Sequence, residues 1–345
     1  MLTIDHKFTL VLFTDEGKPL GSAAVEADWE PAVQWTSFYF ARRGELPLNN
    51  GCGTASILPV WDCELKAPCC RGFRVSIPRD GKSPCTSDFP SGYFRRFAVK
   101  LAALFIEEGK LAKDAVFRYV VIALEGRDSD SAPSVGGLQV EERFAPLPLL
   151  DSSLRDWERR TTPVGIIDPD DMPVLVPQQV LDQIAEQTHA ERGRETGGVL
   201  IGNLHQDATV PEIFAEVTAQ IPAEHTRGDA VKLTFTPATW SGVDAAIKLR
   251  GRSEIYLGYW HSHPVFAWCK ARECTLEKQA NCRLAKDFFS TDDEALLRAV
   301  FPRGHSLALV ANDTAFTSLT FSCFGWREGA IHPRGYHLIG GPHAT

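Results

Sequence analysis

No apolar run in the 345 residues approaches the roughly 18 that a membrane span requires. The opening stretch, Met1 to Phe13, is interrupted by Asp5, His6 and Lys7, which removes a signal-peptide core and predicts a strand in a cytoplasmic protein. An excess of basic charge is also missing. Lys plus Arg is 36 against 44 for Asp plus Glu, and neither half is basic when the chain is divided near residue 165, so a surface for nucleic-acid phosphates has no electrostatic footprint. No C-x-x-C pair occurs. That excludes the H-x-E with P-C-x-x-C combination of nucleobase deaminases. No internal repeat is present. With no export signal, nine cysteines make structural disulfides a poor expectation and leave burial or metal binding.

What is there is ordinary globular composition, 44% hydrophobic and 23% charged, in a chain long enough for two domains at about 150 residues each. The first part reads as an α+β domain. Lys7 to Phe13, Gly21 to Ala27 and Gln34 to Ala41 are short β-rich runs between turn residues, and Phe73 to Ile77 alternates again. From Tyr93 to Lys110 the period changes to three or four residues, the signature of an amphipathic helix, and Val116 to Leu124 follows as a buried strand. Turn-rich stretches at 126–137 and 161–173 offer two places for a boundary, which is set near 165, giving domains 1–165 and 166–345.

The second part alternates strand and helix, which predicts an α/β domain. Val174 to Val176 is a short strand, and Pro177 opens a helix carrying Val180, Ile184 and Ala185. Glu195 stands just before Thr196-Gly197-Gly198-Val199-Leu200-Ile201-Gly202, an apolar strand entered through glycines. Strands at 213–221 and 231–235 and a helix at 237–249 lead to Ile255 to Trp260, a buried strand whose end delivers His261, Ser262, His263 and Pro264.

In an extended segment His261 and His263 point to the same side and are able to converge on one ion. A catalytic zinc takes three protein ligands and a water, so a third ligand is needed. Ser290-Thr291-Asp292-Asp293 opens an amphipathic helix with Ser290 as a good N-cap, and Asp293 is the natural oxygen ligand.

These residues resemble the MPN/JAMM (JAB) zinc metallopeptidases. The family pattern is a Glu before a Gly-Gly strand, then His-x-His-Pro, then Ser-x-x-Asp. It stands here as Glu195 in Glu-Thr-Gly-Gly-Val-Leu-Ile-Gly, as His261-Ser262-His263-Pro264, and as Ser290-Thr291-Asp292-Asp293, over roughly residues 170 to 325. The resemblance implies a curved mixed sheet flanked by helices, with Zn2+ held by His261, His263 and Asp293. It also implies Glu195 as general base and Ser290 as a stabiliser of the oxyanion. The implied activity is a deubiquitinase-like isopeptidase that removes or matures a ubiquitin-like modifier, as in bacterial modifier-conjugation (antiphage) systems. Its partners would then be the modifier, its conjugates and the conjugating enzymes, and domain 1–165 would recognise substrate or partner. A zinc protease of a carrier protein or small peptide, and a non-catalytic MPN-type scaffold, are the other readings.

The sequence departs from the family in an insertion at 265–289, where about eight residues are usual between the second His and the Ser. It carries Cys269, Cys274 and Cys282, three candidate ligands of a second, structural zinc, with a fourth from Cys323, His332, His337 or another group. Cys52, Cys63, Cys69, Cys70 and Cys85 fit no zinc spacing and are expected as buried or idle thiols. The segment Pro222 to Asp229 and the insertion are the expected places for contacts with a modifier tail.

Overall fold

The computed structural model describes residues 2–48, 54–126, 147–191, 193–223, 235–275, 277–278, 282, 288–314 and 319–340. The backbone separates into two units. One comprises Met1–Phe40, Glu45–Pro146 and Glu328–Ala330, the other Ala41–Gly44, Leu147–Arg327 and Ile331–Thr345.

The first unit is α+β. Strands β1 (Leu2–Ile4), β2 (His6–Thr14), β3 (Pro19–Ala24), β4 (Ala55–Trp61), β5 (Cys69–Arg79), β6 (Lys82–Pro90) and β7 (Phe117–Glu125) form one sheet in the order β1-β4-β5-β7-β2-β3, with β6 added to β5. Along β2 the side chains alternate so that Phe8, Leu10 and Leu12 are buried. Helix α2 (Arg95–Glu107) lays Ala98, Leu101, Ala102 and Phe105 on the same core.

The strand expected at 34–41 is instead part of helix α1 (Glu30–Arg42). Trp35, Thr36, Phe38, Tyr39 and Phe40 favour strands intrinsically, but Ala32, Val33 and Thr36 form a buried helical stripe, and the Thr36 hydroxyl donates to the Ala32 carbonyl at 2.8 Å. Trp35 packs edge-on against Phe89. Tertiary packing overrides propensity here. Of the cysteines in this unit, Cys70 and Cys85 are buried, Cys69 is half-buried and Cys63 is exposed, all as free thiols. Burial pushes Cys70 up to about 11, which makes it an inert thiol. Cys52 lies outside the described residues.

The second unit is α/β. Its strands are β8 (Leu149–Asp151), β9 (Thr161–Val164), β10 (Val174–Pro177), β11 (Gly197–Asp207), β12 (Glu212–Pro222), β13 (Ile255–His263), β14 (Leu307–Asn312), β15 (Thr320–Arg327), β16 (Ala330–Arg334) and β17 (Tyr336–Ile339). They form a mixed sheet in the order β16-β15-β14-β13-β11-β12-β10-β17-β9, with β8 on β11. Because β8 pairs with β11 and β9 with β17, the segment from Leu147 belongs to this sheet. The boundary therefore falls between Pro146 and Leu147 and not near 165.

The helices are α3 (Leu154–Glu158), α4 (Gln178–Ala190), α5 (Pro237–Arg250), α6 (Val265–Ala271) and α7 (Thr291–Val300). Pro177 caps α4, and α5 runs from a Thr236 cap to a left-handed Gly251. Of the strand expected at 231–235, only Phe235 lies among the described residues, and it is not in a strand. The expected tail-contact segment likewise lies outside them beyond residue 223.

Strands β11, β13 and β14 are buried along almost their whole length, which is why they read as continuous apolar runs. Strand β11 changes register against β13 between Leu200 and Ile201, and against β12 between Ile201 and Gly202. Such irregularities add twist and curve the sheet. Gly258, with φ of 152°, lies where a Cβ would come 1.8 Å from the Leu307 carbonyl oxygen, so only glycine lets β13 and β14 approach so closely. No helix among the described residues is long and apolar enough to cross a membrane.

Candidate metal centre

The C-terminal end of β13 places two imidazoles on one side of the strand. His261 and His263 are 1% and 2% exposed, and their Nε2 atoms are 3.0 Å apart. Helix α7 supplies the third group. Ser290 is its N-cap: the Ser290 hydroxyl accepts from the Asp293 N–H at 3.1 Å, and the Ser290 N–H donates to Asp293 Oδ2 at 2.8 Å. This capping box turns the Asp293 carboxylate toward the strand end, with Oδ1 3.2 Å from His261 Nε2 and Oδ2 3.6 Å from His263 Nε2. All three ligand atoms lie within 4.8 Å of one another.

The surrounding groups fix the rings. His263 Nδ1 is 3.2 Å from Asn312 Oδ1, and the Asn312 amide donates to Ser322 Oγ at 3.3 Å. Asn312 stands opposite His263 in the parallel pairing of β13 with β14. An Nδ1–H donated to Asn312 leaves the His263 Nε2 lone pair facing the site. Tyr259 stacks on His261 at 5.5 Å and donates its hydroxyl to the Asp293 carbonyl at 3.1 Å. Trp268 and Phe288 pack on His263, and Phe289 on His261. Asn312→Ala is expected to weaken zinc binding about 10- to 100-fold, the usual cost of losing an outer-shell partner, as read by competition against a chromogenic chelator.

Glu195 comes from the other side, just before β11. Between the two histidines, Ser262 ties this segment down: its N–H donates to the Thr196 carbonyl at 2.8 Å and its hydroxyl accepts from the Thr196 N–H at 3.0 Å. Glu195 is thereby fixed one residue upstream of that clasp. Burial pushes its carboxyl up to about 7, with Asp293 and Asp292 acting in the same direction and His263 opposing. Asp293 behaves oppositely. Burial disfavours its charge, yet the adjacent His261 and His263 imidazoles hold its carboxyl well below the usual carboxylate range.

The residues present fit a zinc ion. Two imidazole nitrogens on one tetrahedral zinc, each about 2.0–2.1 Å from it, stand roughly 3.3 Å apart. The observed Nε2 separation is 3.0 Å, and without a shared proton or cation two such lone pairs would repel. Two nitrogens and one carboxylate leave a fourth position open, as catalytic zinc requires.

Asn312 and Ser262 belong to no motif of the sequence that marks a metal site. Asn312 enters through strand pairing that one sequence does not display, whereas Ser262 was visible between the histidines without a reason to choose it. Of the expected fourth cysteine-site ligands, Cys323 is buried near Arg334 and Asp171, and His337 sits at Thr161.

Comparison with known proteins matches residues 177–267 to prokaryotic homologs of the JAB domain. That span includes Glu195, His261 and His263 and ends within the insertion. No curated protein matches the chain. Among solved structures, the solution structure of protein DSY2949 from Desulfitobacterium hafniense is similar at 14% identity and a TM-score of 0.33, over 50% of this chain and 98% of that one. Within the second unit, residues 177–267 are thus similar to the JAB domain of prokaryotic proteins.

Proposed function

We propose that this unit is a zinc-dependent isopeptidase that removes or matures a ubiquitin-like modifier, in a bacterial modifier-conjugation system with an antiphage role. The observation that carries the reading is the meeting of His261, His263 and Asp293 beside a half-buried Glu195. When bound, zinc supplies a water acidic enough to ionise near neutral pH and a Lewis acid for a carbonyl oxygen. Glu195, half-buried within the electrostatic reach of His263 and Asp293, is suited to take a proton from the attacking water and return it to the departing amine. The Ser290 hydroxyl uses its oxygen as the cap acceptor, which leaves its O–H to donate to the oxyanion. His261 and His263 are held by Tyr259 and Asn312, so little reorganisation is needed. The substrate class comes from the family resemblance, and the first unit would recruit the substrate or its conjugating partner.

The test is a panel of ubiquitin-like fusions incubated with the zinc-loaded full chain and read by intact mass. Release cut at the modifier's terminal carbonyl, absent with Glu195→Gln, is the expected result. Cleavage confined to a carrier protein or short peptides would move the assignment to the second enzyme reading. Protein that neither retains zinc nor cuts any fusion would be a scaffold.

A further inference from the structure

A second cluster lies apart from the His–His–Asp group and takes no part in its chemistry. Cys269 is on α6 and 5% exposed, Cys274 and Cys282 are half-buried, and none of the three is in a disulfide. Local geometry folds the first two together: Glu273 takes a left-handed φ of 52°, and the Cys274 N–H donates to the Cys269 carbonyl at 3.0 Å. Cys282 arrives from farther along the insertion. Cys274 and Cys282 both act on the Cys269 thiol through side-chain hydrogen bonding, which makes Cys269 the hub of the group.

Thiols are weak hydrogen-bond partners, so contacts among three of them return little for ordering a polar insertion. A thiophilic cation returns much more, since structural zinc sites supply folding free energy outright. The insertion also has something to hold. Helix α6 follows Pro264 directly and sets Trp268 against His263 at 5.3 Å, while the far end sets Phe288 against His263 at 5.5 Å and Phe289 against His261 at 6.1 Å. Cys269 is next to Trp268, and Cys282 precedes the Phe288-Phe289 pair.

We propose that Cys269, Cys274 and Cys282 bind a structural divalent ion of the zinc class, a thiolate clamp that joins the two ends of the insertion against the histidine pair. Each thiol gives its proton to bulk water as its sulfur takes the metal. The clamp does not depend on the isopeptidase reading.

Cobalt tests it on the full chain, because sulfur ligands alone give a near-ultraviolet sulfur-to-cobalt charge-transfer band. Chelator-stripped, reduced protein titrated with Co2+ should develop that band. The His261→Ala/His263→Ala double variant should keep it, so failure of the catalytic site and of the clamp are told apart. Cys274→Ser and Cys282→Ser, at half-buried positions, should each abolish the band and remove about one equivalent of zinc by elemental analysis. Should the variants fail to fold, p-chloromercuribenzoate added to the zinc-loaded wild-type protein should still release about one equivalent. A wild-type titration without the band, a band that survives in both serine variants, no zinc released by the mercurial, or a native disulfide within the trio would each overturn the proposal.

Discussion

Replacing Glu195 by Gln is expected to lower hydrolysis about 10²- to 10⁴-fold, the range spanned by a general base, with zinc content unchanged. The amide keeps the shape of the side chain and leaves the Thr196–Ser262 clasp intact, so what is lost is the ability to accept a proton. None of the three ligand atoms comes from Glu195, hence the retained metal. Activity near that of the wild type would remove Glu195 from the reaction. The same variant has a signature in chelator-treated protein. Burial raises the folded carboxyl from 4.5 to about 7, so protonation favours the folded state. The resulting stabilisation is complete below about 4.5 and lost as pH rises through about 7, on the order of 2 kcal/mol once solvent screening of the half-buried carboxyl is allowed for. Gln has no such titration. Melting temperatures measured across that window should fall with pH in the wild type and stay flatter in Glu195→Gln.

Much of this site is legible in the sequence because its parts lie at element ends. Glu195 precedes a glycine-entered strand, His261 and His263 alternate at the end of another, and the Ser290 cap announces α7. Each signal is local, and local periodicity is what a single sequence reports well. Pairing across strands is not local. Asn312 supports His263 only because β14 runs parallel to β13 in one register, and nothing near residue 312 encodes that choice. In the first unit, α1 was hidden by residues that favour strands, and β4 and β6 were hidden beside cysteines and prolines that read as punctuation. The boundary was misplaced because β8 and β9 are three and four residues long, too short to show a period.

Asp293 carries the other large expectation. Asp293→Ala should abolish stoichiometric zinc binding, with affinity falling more than the roughly 100-fold that loss of an outer-shell group costs. The carboxylate has two jobs that separate by variant. Oδ2 accepts the Ser290 N–H in the capping box, while both oxygens face the histidine nitrogens. Loss of a cap costs helix α7 about 1 kcal/mol. Asp293→Asn keeps an oxygen for the Ser290 N–H but removes the charge, so it should hold the cap and still bind zinc poorly. Acid sensitivity provides a check independent of zinc. The histidines depress the folded carboxyl below its ordinary 3.8, so its contribution is present above that value and lost as pH falls. Both variants should lose that acid-side decline, which lies below the window assigned to Glu195. Zinc bound stoichiometrically by Asp293→Ala would mean that the two imidazoles recruit their third ligand from elsewhere, and the role of α7 would shrink to that of a capped helix beside the site.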